Sequence, residues 1–282
     1  MTTHIADKKI IKDTVHGYIY IRADYCYYLL DTPEFQRLKR LEQTNLRPLY
    51  PCAHHDRFVH SLGTFHLGEF AFQAIKSNSS NEPILKNINW KYLQTHFEVA
   101  CLLHDIGHSP FSHTLEHYFN FDNTLDDEFD KDYCKIEGFK MEYNEFIQDY
   151  HDLLPKPKPH ERTSAILVLT RYKKVLSDSN IFGLNPYMVA RMILGLHYTI
   201  DLTIEKQFIN CLISLLNGPT IDVDKLDYLS RDQWATGYST KNVDCKRVLS
   251  SIFIKPYNGK LEVCFHKRAI TEIFAISEAK NL

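Results

Sequence analysis

The dipeptide His104-Asp105 follows an apolar run, Val99, Ala100, Cys101, Leu102 and Leu103. A histidine and an aspartate are costly to bury at the end of such a run unless both are satisfied. A hydrogen-bonded pair would do that, and a divalent cation would do it for both residues at once. Two other segments offer matching groups. His60 lies in HDRFVHS, and Asp222, Asp224 and Asp227 lie in IDVDKLDY. A solvated acidic stripe is the simpler account of the three aspartates. Against it, Asp224 and Asp227 share a helix face with Tyr228. His60, His104, Asp105 and Asp224 together supply two imidazoles and two carboxylates from three helical segments. That mixed nitrogen and oxygen set suits manganese, iron, magnesium, nickel or zinc. His108 falls four residues after His104, on the same face of a continuing helix, and Gly107 between them permits close approach of a substrate or another helix.

The elements that must carry these groups are mostly helices. Residues 8–21 read as two short strands turning around Val15-His16-Gly17. Thr32 caps a helix with Pro33 at its first position, expected to run through PEFQRLKRLEQ, residues 33–43. Residues 45–55 hold two prolines and read as a loop. A second helix starts near Asp56 with Phe58, Leu62, Phe65, Leu67 and Phe70 on it. A third starts near Tyr92, runs through FEVACLLHDIGH and stops at Ser109-Pro110, and Phe111 to Phe119 forms another helical segment. Residues 120–158 are expected to be an insertion with a flexible or solvated part. The aspartates from Asp126 to Asp132 lack the glycine and terminal Glu register of a calcium loop. Helical periodicity returns at 160–172, 186–197, 206–216 and 219–234, with Leu226, Leu229 and the apolar face of Tyr228 turned inward. Residues 251–265 read as a β-hairpin with Gly259 at its turn. The last residues, AITEIFAISEAKNL, form a helical pattern, and a C-terminal portion beyond Leu282 is expected. The fold class is mostly α with small β-hairpin elements, as one domain spanning 1–282.

Composition narrows the function classes. Apolar residues make up 44% and charged residues 24%, which excludes global disorder. A net charge of −2 gives no global field for nucleic acid. The seven cysteines are odd in number and contain no C-x-x-C, which argues against a cysteine zinc site or a disulfide framework. The N-terminus lacks a signal peptide's apolar core, and no apolar stretch is long enough to cross a bilayer. A soluble, cytoplasmic protein with no membrane partner is expected. No Walker-type glycine loop is present.

Five ordered motifs then point to a family: DTPEFQRL at 31–38, HDRFVHSLG at 55–63, HDIGHSPFSH at 104–113, HE at 160–161 and DVDKLDYLSRD at 222–232. The chain resembles the HD superfamily of metal-dependent phosphohydrolases. It is more particularly similar to the deoxynucleoside triphosphate triphosphohydrolases, including the type that adds a SAM domain, expected to be lacking here. The resemblance implies that His60, His104, Asp105 and Asp224 hold the metal. It implies that His113 is the general acid for the leaving 5′-oxygen, with Glu116 placed to orient it. His108 and His160 match phosphate-site histidines. Arg57 and Lys225 match phosphate-contacting cations, and Gln43, Tyr228 and Asp232 match residues that hold the sugar 3′-hydroxyl. Thr44 stands where the most deoxy-selective relatives have leucine. Asp31 matches a guanine-reading position of a regulatory site, but Lys39 replaces its arginine and cannot form the same fork. A deoxynucleoside triphosphate substrate, a regulatory nucleotide and a homo-oligomer, dimer or tetramer, are the implied partners. Another HD enzyme, a nucleotidase or an alarmone hydrolase, would share the metal site. A non-catalytic nucleotide sensor or nucleic-acid-binding module would keep the fold alone. The full ligand set with its candidate acid favours an enzyme, and Lys225 favours a long phosphate chain.

Overall fold

The computed structural model describes residues 8–115, 124–219, 221–237 and 244–279. Strands β1 (Lys8–Asp13) and β2 (Gly17–Arg22) form an antiparallel hairpin with Ile11 opposite Ile19. Ile19 and Ile21 face the core, and the alternate residues Tyr18 and Tyr20 face outward, the period-2 pattern of a half-buried ribbon. Two longer helices follow, α1 (Arg57–Ser79) and α2 (Trp90–Leu103). Next come α3 (Lys140–Asp152), α4 (Pro159–Thr170), α5 (Pro186–Leu194), α6 (Ile204–Leu216) and α7 (Val223–Thr236). A second hairpin pairs β3 (Ile252–Tyr257) with β4 (Lys260–Phe265), and α8 (Ile270–Ala279) ends the described chain. Asn258 and Gly259 both take positive φ, 48° and 80°, as a two-residue hairpin turn requires. The fold is mostly α with two small antiparallel hairpins.

Helix α1 is the axis of the molecule, packed on α2, α7 and β3. Asp56 caps it by accepting from the Val59 amide at 3.0 Å. Two glycines inside it cost about 0.5–1 kcal/mol each in helix propensity. Close approach is the reason for both. A Cβ at Gly68 would lie 2.6 Å from Cys101 Sγ on α2, and one at Gly63 would lie 1.8 Å from Asp227 Oδ1 on α7. Phe72, Phe97 and Phe208 fill the space between α1, α2 and α6, all fully buried. The seven cysteines are free thiols. Among the described residues, no helix is long and apolar enough to cross a membrane.

Several expected elements differ. Thr32 and Pro33 start a helix as expected, but only Pro33–Gln36 is α, followed by a 3-10 turn over Arg37–Arg40. Leu41 is extended because residues 41–43 pair with the chain ahead of α1: Glu42 bridges Asp56, and the Gln43 amide donates to His55 O at 2.9 Å. Helix α2 does not run to His108. It ends at Leu103 with His104 as C-cap, and 104–108 is a tight turn. Its carbonyls are taken from outside: Arg37 donates to Ile106 O at 2.5 Å and His108 O at 2.6 Å. Phe111 and Ser112 have φ of 67° and 53°, so the expected helix from Phe111 is a strained turn leading into 3-10 residues Ser112–Leu115. Its later part lies outside the described residues. Helix α7 begins at Val223, with Asp222 as its N-cap rather than a helical residue. From residue 124 onward the acidic segment is packed rather than wholly solvated: Phe129, Phe146 and Tyr150 are buried, and Asp126 meets Arg162 at 2.8 Å.

Candidate metal centre

Three elements bring the four candidate ligands together. His60 is in the first turn of α1, His104 and Asp105 are in the turn after α2, and Asp224 is in the first turn of α7. His60 Nε2 lies 2.9 Å from Asp224 Oδ1, 3.2 Å from His104 Nε2 and 3.6 Å from Asp105 Oδ2. His104 Nε2 lies 3.6 Å from both Asp105 Oδ1 and Asp224 Oδ1. His60 and Asp105 are almost fully buried, and about a third of the Asp224 side chain is exposed (34%). A small cleft beside it is lined by His104, His160, Glu161, Asn217 and Asp224.

The second nitrogen of each imidazole is committed. His60 Nδ1–H donates to Asp227 Oδ2 at 2.7 Å, and His104 Nδ1–H donates to Cys101 O at 2.9 Å. In their neutral forms, both Nε2 lone pairs then face each other and two carboxylates. Four acceptors converging on one point repel unless a cation sits among them. A cation about 2.1 Å from each ligand leaves neighbouring donors roughly 3.0–3.4 Å apart at octahedral to tetrahedral angles. The separations between the two imidazoles, and from each of them to the two carboxylates, run from 2.9 to 3.6 Å, and His60, His104 and Asp105 each offer an atom within 4.8 Å of the others. The donor set therefore fits a divalent cation.

The electrostatics agree. Burial opposes charge on His60, but the Asp224 and Asp227 carboxylates override it and raise the imidazole to about 10. Burial opposes charge on His104 too, and Asp105 and Asp224 raise it. Burial would raise the three carboxyls, yet all lie below the usual range. Arg57 holds Asp105 down, His104 and His60 hold Asp224 down, and Arg231 holds Asp227 down. Without a metal, a proton on His60 supplies part of the missing positive charge.

Around this centre, Arg57 is buried and donates to both Asp105 and Ser112. His108 is buried with Nε2 3.3 Å from Asp105 Oδ1, and burial pushes it down to about 2, so it is neutral. It stacks on His160 with ring centroids 4.0 Å apart. The exposed His113 stands edge-on to both rings, at 5.0 and 5.2 Å. Glu116 lies outside the described residues. Lys225 is engaged elsewhere: its ammonium donates to Asp222 Oδ2 at 2.5 Å and to the Gly218 carbonyl. Gln43, Thr44 and Asp232 gather beside His55. Thr44 is buried, hydrogen-bonds Asp232 and accepts from the Leu46 amide at 3.2 Å. Gln43 Oε1, Asp232 Oδ1 and both His55 ring nitrogens are buried without hydrogen bonds. Burial lowers His55 to about 4, so it too is neutral. Tyr228 sits half-buried on α7 between Asp224 and Asp232, one turn from each.

Three participants escape a reading of the motifs, and a fourth, Asp227, is singled out there without a role. Arg37 clamps the 104–108 turn, Ser112 holds Arg57, His55 joins the Gln43 group, and Asp227 supports His60. Asp227 carried a signal, since Arg231 follows it at i+4 on the same face.

Comparison with known proteins places the chain among relatives. It is 29% identical over 275 residues to the deoxynucleoside triphosphate triphosphohydrolase SAMHD1 homolog of Dictyostelium discoideum, covering 95% of this chain and 43% of that protein. It is 27% identical to deoxynucleoside triphosphate triphosphohydrolase SAMHD1 of Danio rerio, covering 97% of this chain and 41% of that one. An uncharacterized protein of Methanocaldococcus jannaschii is 28% identical, with 97% and 44% covered. The chain thus spans less than half the length of these relatives. No family model matches it. The chain is homologous to these proteins over nearly all of its length.

Proposed function

We propose that the chain is an HD-type, metal-dependent phosphohydrolase that splits deoxynucleoside triphosphates into deoxynucleoside and tripolyphosphate. The observation that carries this reading is the convergence of His60, His104, Asp105 and Asp224 with both Nδ1 atoms bonded elsewhere. The names of the relatives support the substrate class. These four would hold a divalent cation, which would supply positive charge at a phosphoryl oxygen and lower the pKa of a water. The chain's own groups do the rest. Arg57 keeps Asp105 ionised and oriented. Neutral His108, stacked on His160, offers a hydrogen bond to phosphate beside Asp105. His113 delivers the proton to the leaving 5′-oxygen from the exposed side, with Glu116 as its orienting partner. Gln43, Tyr228 and Asp232 take the sugar 3′-hydroxyl, which would satisfy buried oxygens that otherwise lack a donor. Lys225 contacts phosphate only by exchanging Asp222 for it. The whole protein assembles as a dimer or tetramer under a regulatory nucleotide, and this chain is its single catalytic domain.

Product analysis tests the reading. The protein is incubated with each deoxy- and ribonucleoside triphosphate and Mn2+, and the phosphates are separated by ion exchange. Intact tripolyphosphate is expected. Orthophosphate or pyrophosphate would refute it in favour of a nucleotidase or an alarmone-type hydrolase.

A further inference from the structure

Behind the four candidate ligands lies a second tier of charged groups, and it reaches into the N-terminal hairpin. Asp227 is fully buried and accepts three hydrogen bonds: from His60 Nδ1 at 2.7 Å, from Arg231 Nε at 2.7 Å and from His16 Nε2 at 2.6 Å. Arg231 is itself held by Asp13, whose Oδ2 accepts from Nη1 at 2.9 Å. The other oxygen of Asp13 accepts from the amides of Val15 and His16, at 2.9 and 2.8 Å, and so shapes the β1–β2 turn that presents His16. The space for the carboxylate exists because residue 63 has no side chain.

Asp227 cannot serve as a ligand in this arrangement. Both of its oxygens are bonded to donors, and His60 stands between it and the converging Nε2 atoms. What it does control is which His60 nitrogen is bare. An imidazole whose Nδ1–H is held by a carboxylate presents Nε2 as a lone pair in a fixed direction, and a bound carboxylate raises its basicity as a ligand. If the Asp227 oxygen moved, His60 could rotate or take the other tautomer, with the proton on the nitrogen that faces Asp224.

We infer that Asp227 is the positioning residue of the metal centre, and that the turn of the N-terminal hairpin holds it in place through His16 and the Asp13–Arg231 pair. This rests on the reading of the centre as a cation site. The hairpin is therefore part of the centre's support although none of its residues reaches the cation.

The test uses Mn2+ alone, without nucleotide, by equilibrium dialysis against chelator-stripped protein, with circular dichroism reporting the folded fraction. Asp227→Asn is expected to weaken Mn2+ binding by about 10–100-fold, the usual effect of removing an orienting partner of a metal-bound histidine. Asp227→Glu should recover part of that loss. His16→Ala, which removes one of Asp227's three donors from outside the helical core, should weaken binding by about 10-fold at most. His16→Gln, which keeps an N–H donor, should restore it. If Asp227→Asn does not fold, the His16 pair carries the test by itself. Wild-type Mn2+ affinity in folded Asp227→Asn, or in His16→Ala when Asp227→Asn is unfolded, overturns the positioning role. His60→Ala separates this from the underlying reading. It should abolish Mn2+ binding, and if it does not, the cation site itself fails and the positioning role with it.

Discussion

Gly63→Ala is the sharpest probe of how tightly the centre is assembled. The added Cβ would lie 1.8 Å from Asp227 Oδ1, 2.4 Å from Arg231 Nη2 and 2.6 Å from Asp227 Cγ. Ordinary contact begins near 3.4 Å, so the carboxylate must retreat by the difference between 3.4 and 1.8, about 1.6 Å. It has no slack, since its three hydrogen bonds measure 2.6, 2.7 and 2.7 Å. Breaking two hydrogen bonds to charged groups costs about 3–6 kcal/mol at 1.5–3 each. The alanine returns about 0.5–1 kcal/mol of helix propensity. A net loss of about 2–5.5 kcal/mol follows, a large share of the 5–15 kcal/mol that holds a typical domain. The assay is urea unfolding of metal-stripped protein, followed by far-ultraviolet circular dichroism, with Mn2+ dialysis on the folded material. Gly68→Ala is the control. Its Cβ would meet the Cys101 side chain, Sγ at 2.6 Å and Cβ at 3.3 Å, rather than a charged group, so it should cost about 1–3 kcal/mol and leave Mn2+ affinity unchanged. A Gly63→Ala protein within 1 kcal/mol of wild type and with full Mn2+ affinity would refute the geometry around Asp227.

Four further outcomes are expected. Mn2+ affinity should rise with pH from 6 to 9, by up to about tenfold per unit for each proton displaced, because His60 keeps its proton up to about 10 in the metal-free protein and must lose it to bind; an affinity flat across that range, measured by dialysis, contradicts the shift. The same raised value means that His60 stabilises the metal-free fold fully below its unfolded value near 6.5, with that contribution lost as pH climbs through about 10, which urea midpoints at pH 6 and pH 10.5 would register. His104→Ala should lose metal and turnover together, whereas His113→Ala should keep the metal and lose roughly 10²–10⁴-fold in turnover; metal loss from the His113 variant, read by elemental analysis, would move that residue into the ligand shell. Thr44→Leu should raise the ratio of kcat/KM for dGTP over GTP, because it removes a hydroxyl that touches Asp232 at the candidate sugar site, and an unchanged ratio would place sugar selectivity elsewhere.

The sequence was most legible where a residue acts locally. Thr32, Pro33 and Asp56 start helices where capping chemistry says they should, and Asn258-Gly259 turns the second hairpin. The four converging residues were legible as ligand types only as a set, since a hydrogen bond alone would satisfy a His-Asp pair next to an apolar run, and it was His60, Asp224 and the ordered motifs that pointed to a cation. What could not be read were ends decided from a distance. Apolar periodicity runs on past Leu103, yet Arg37 and Ser164 take the bonds of Ile106, Gly107 and His108 and hold that stretch out of a helix. The same holds at Leu41, where pairing with residues 55–57 wins over helix propensity. Asp222 read as a helical partner of Asp224 but caps the helix and binds Lys225 instead. Asp227 could be read in sequence as more than a solvated charge, through Tyr228 and Arg231 on its helix, but the arrival of His16 from 211 residues away could not be read there.

The Arg37 clamp has a consequence for how the centre comes apart. A turn after a helix normally opens by fraying, a low-energy event that leaves the rest of the protein intact. Here the acceptors of the 104–108 turn are bonded to a guanidinium 69 and 71 residues earlier in the chain, and the Gly107 amide donates to Ser164 Oγ at 2.8 Å. Fraying would have to undock the 33–40 segment and part from α4 at the same time. Amide hydrogens of Ile106 and Gly107 should therefore exchange with solvent at the slow rates of Phe35 and Leu38 in the core, not at those of a helix terminus. His104 and Asp105 would then be released only by a cooperative opening that joins the 33–40 segment, the 104–108 turn and the α4 region into one exchanging unit.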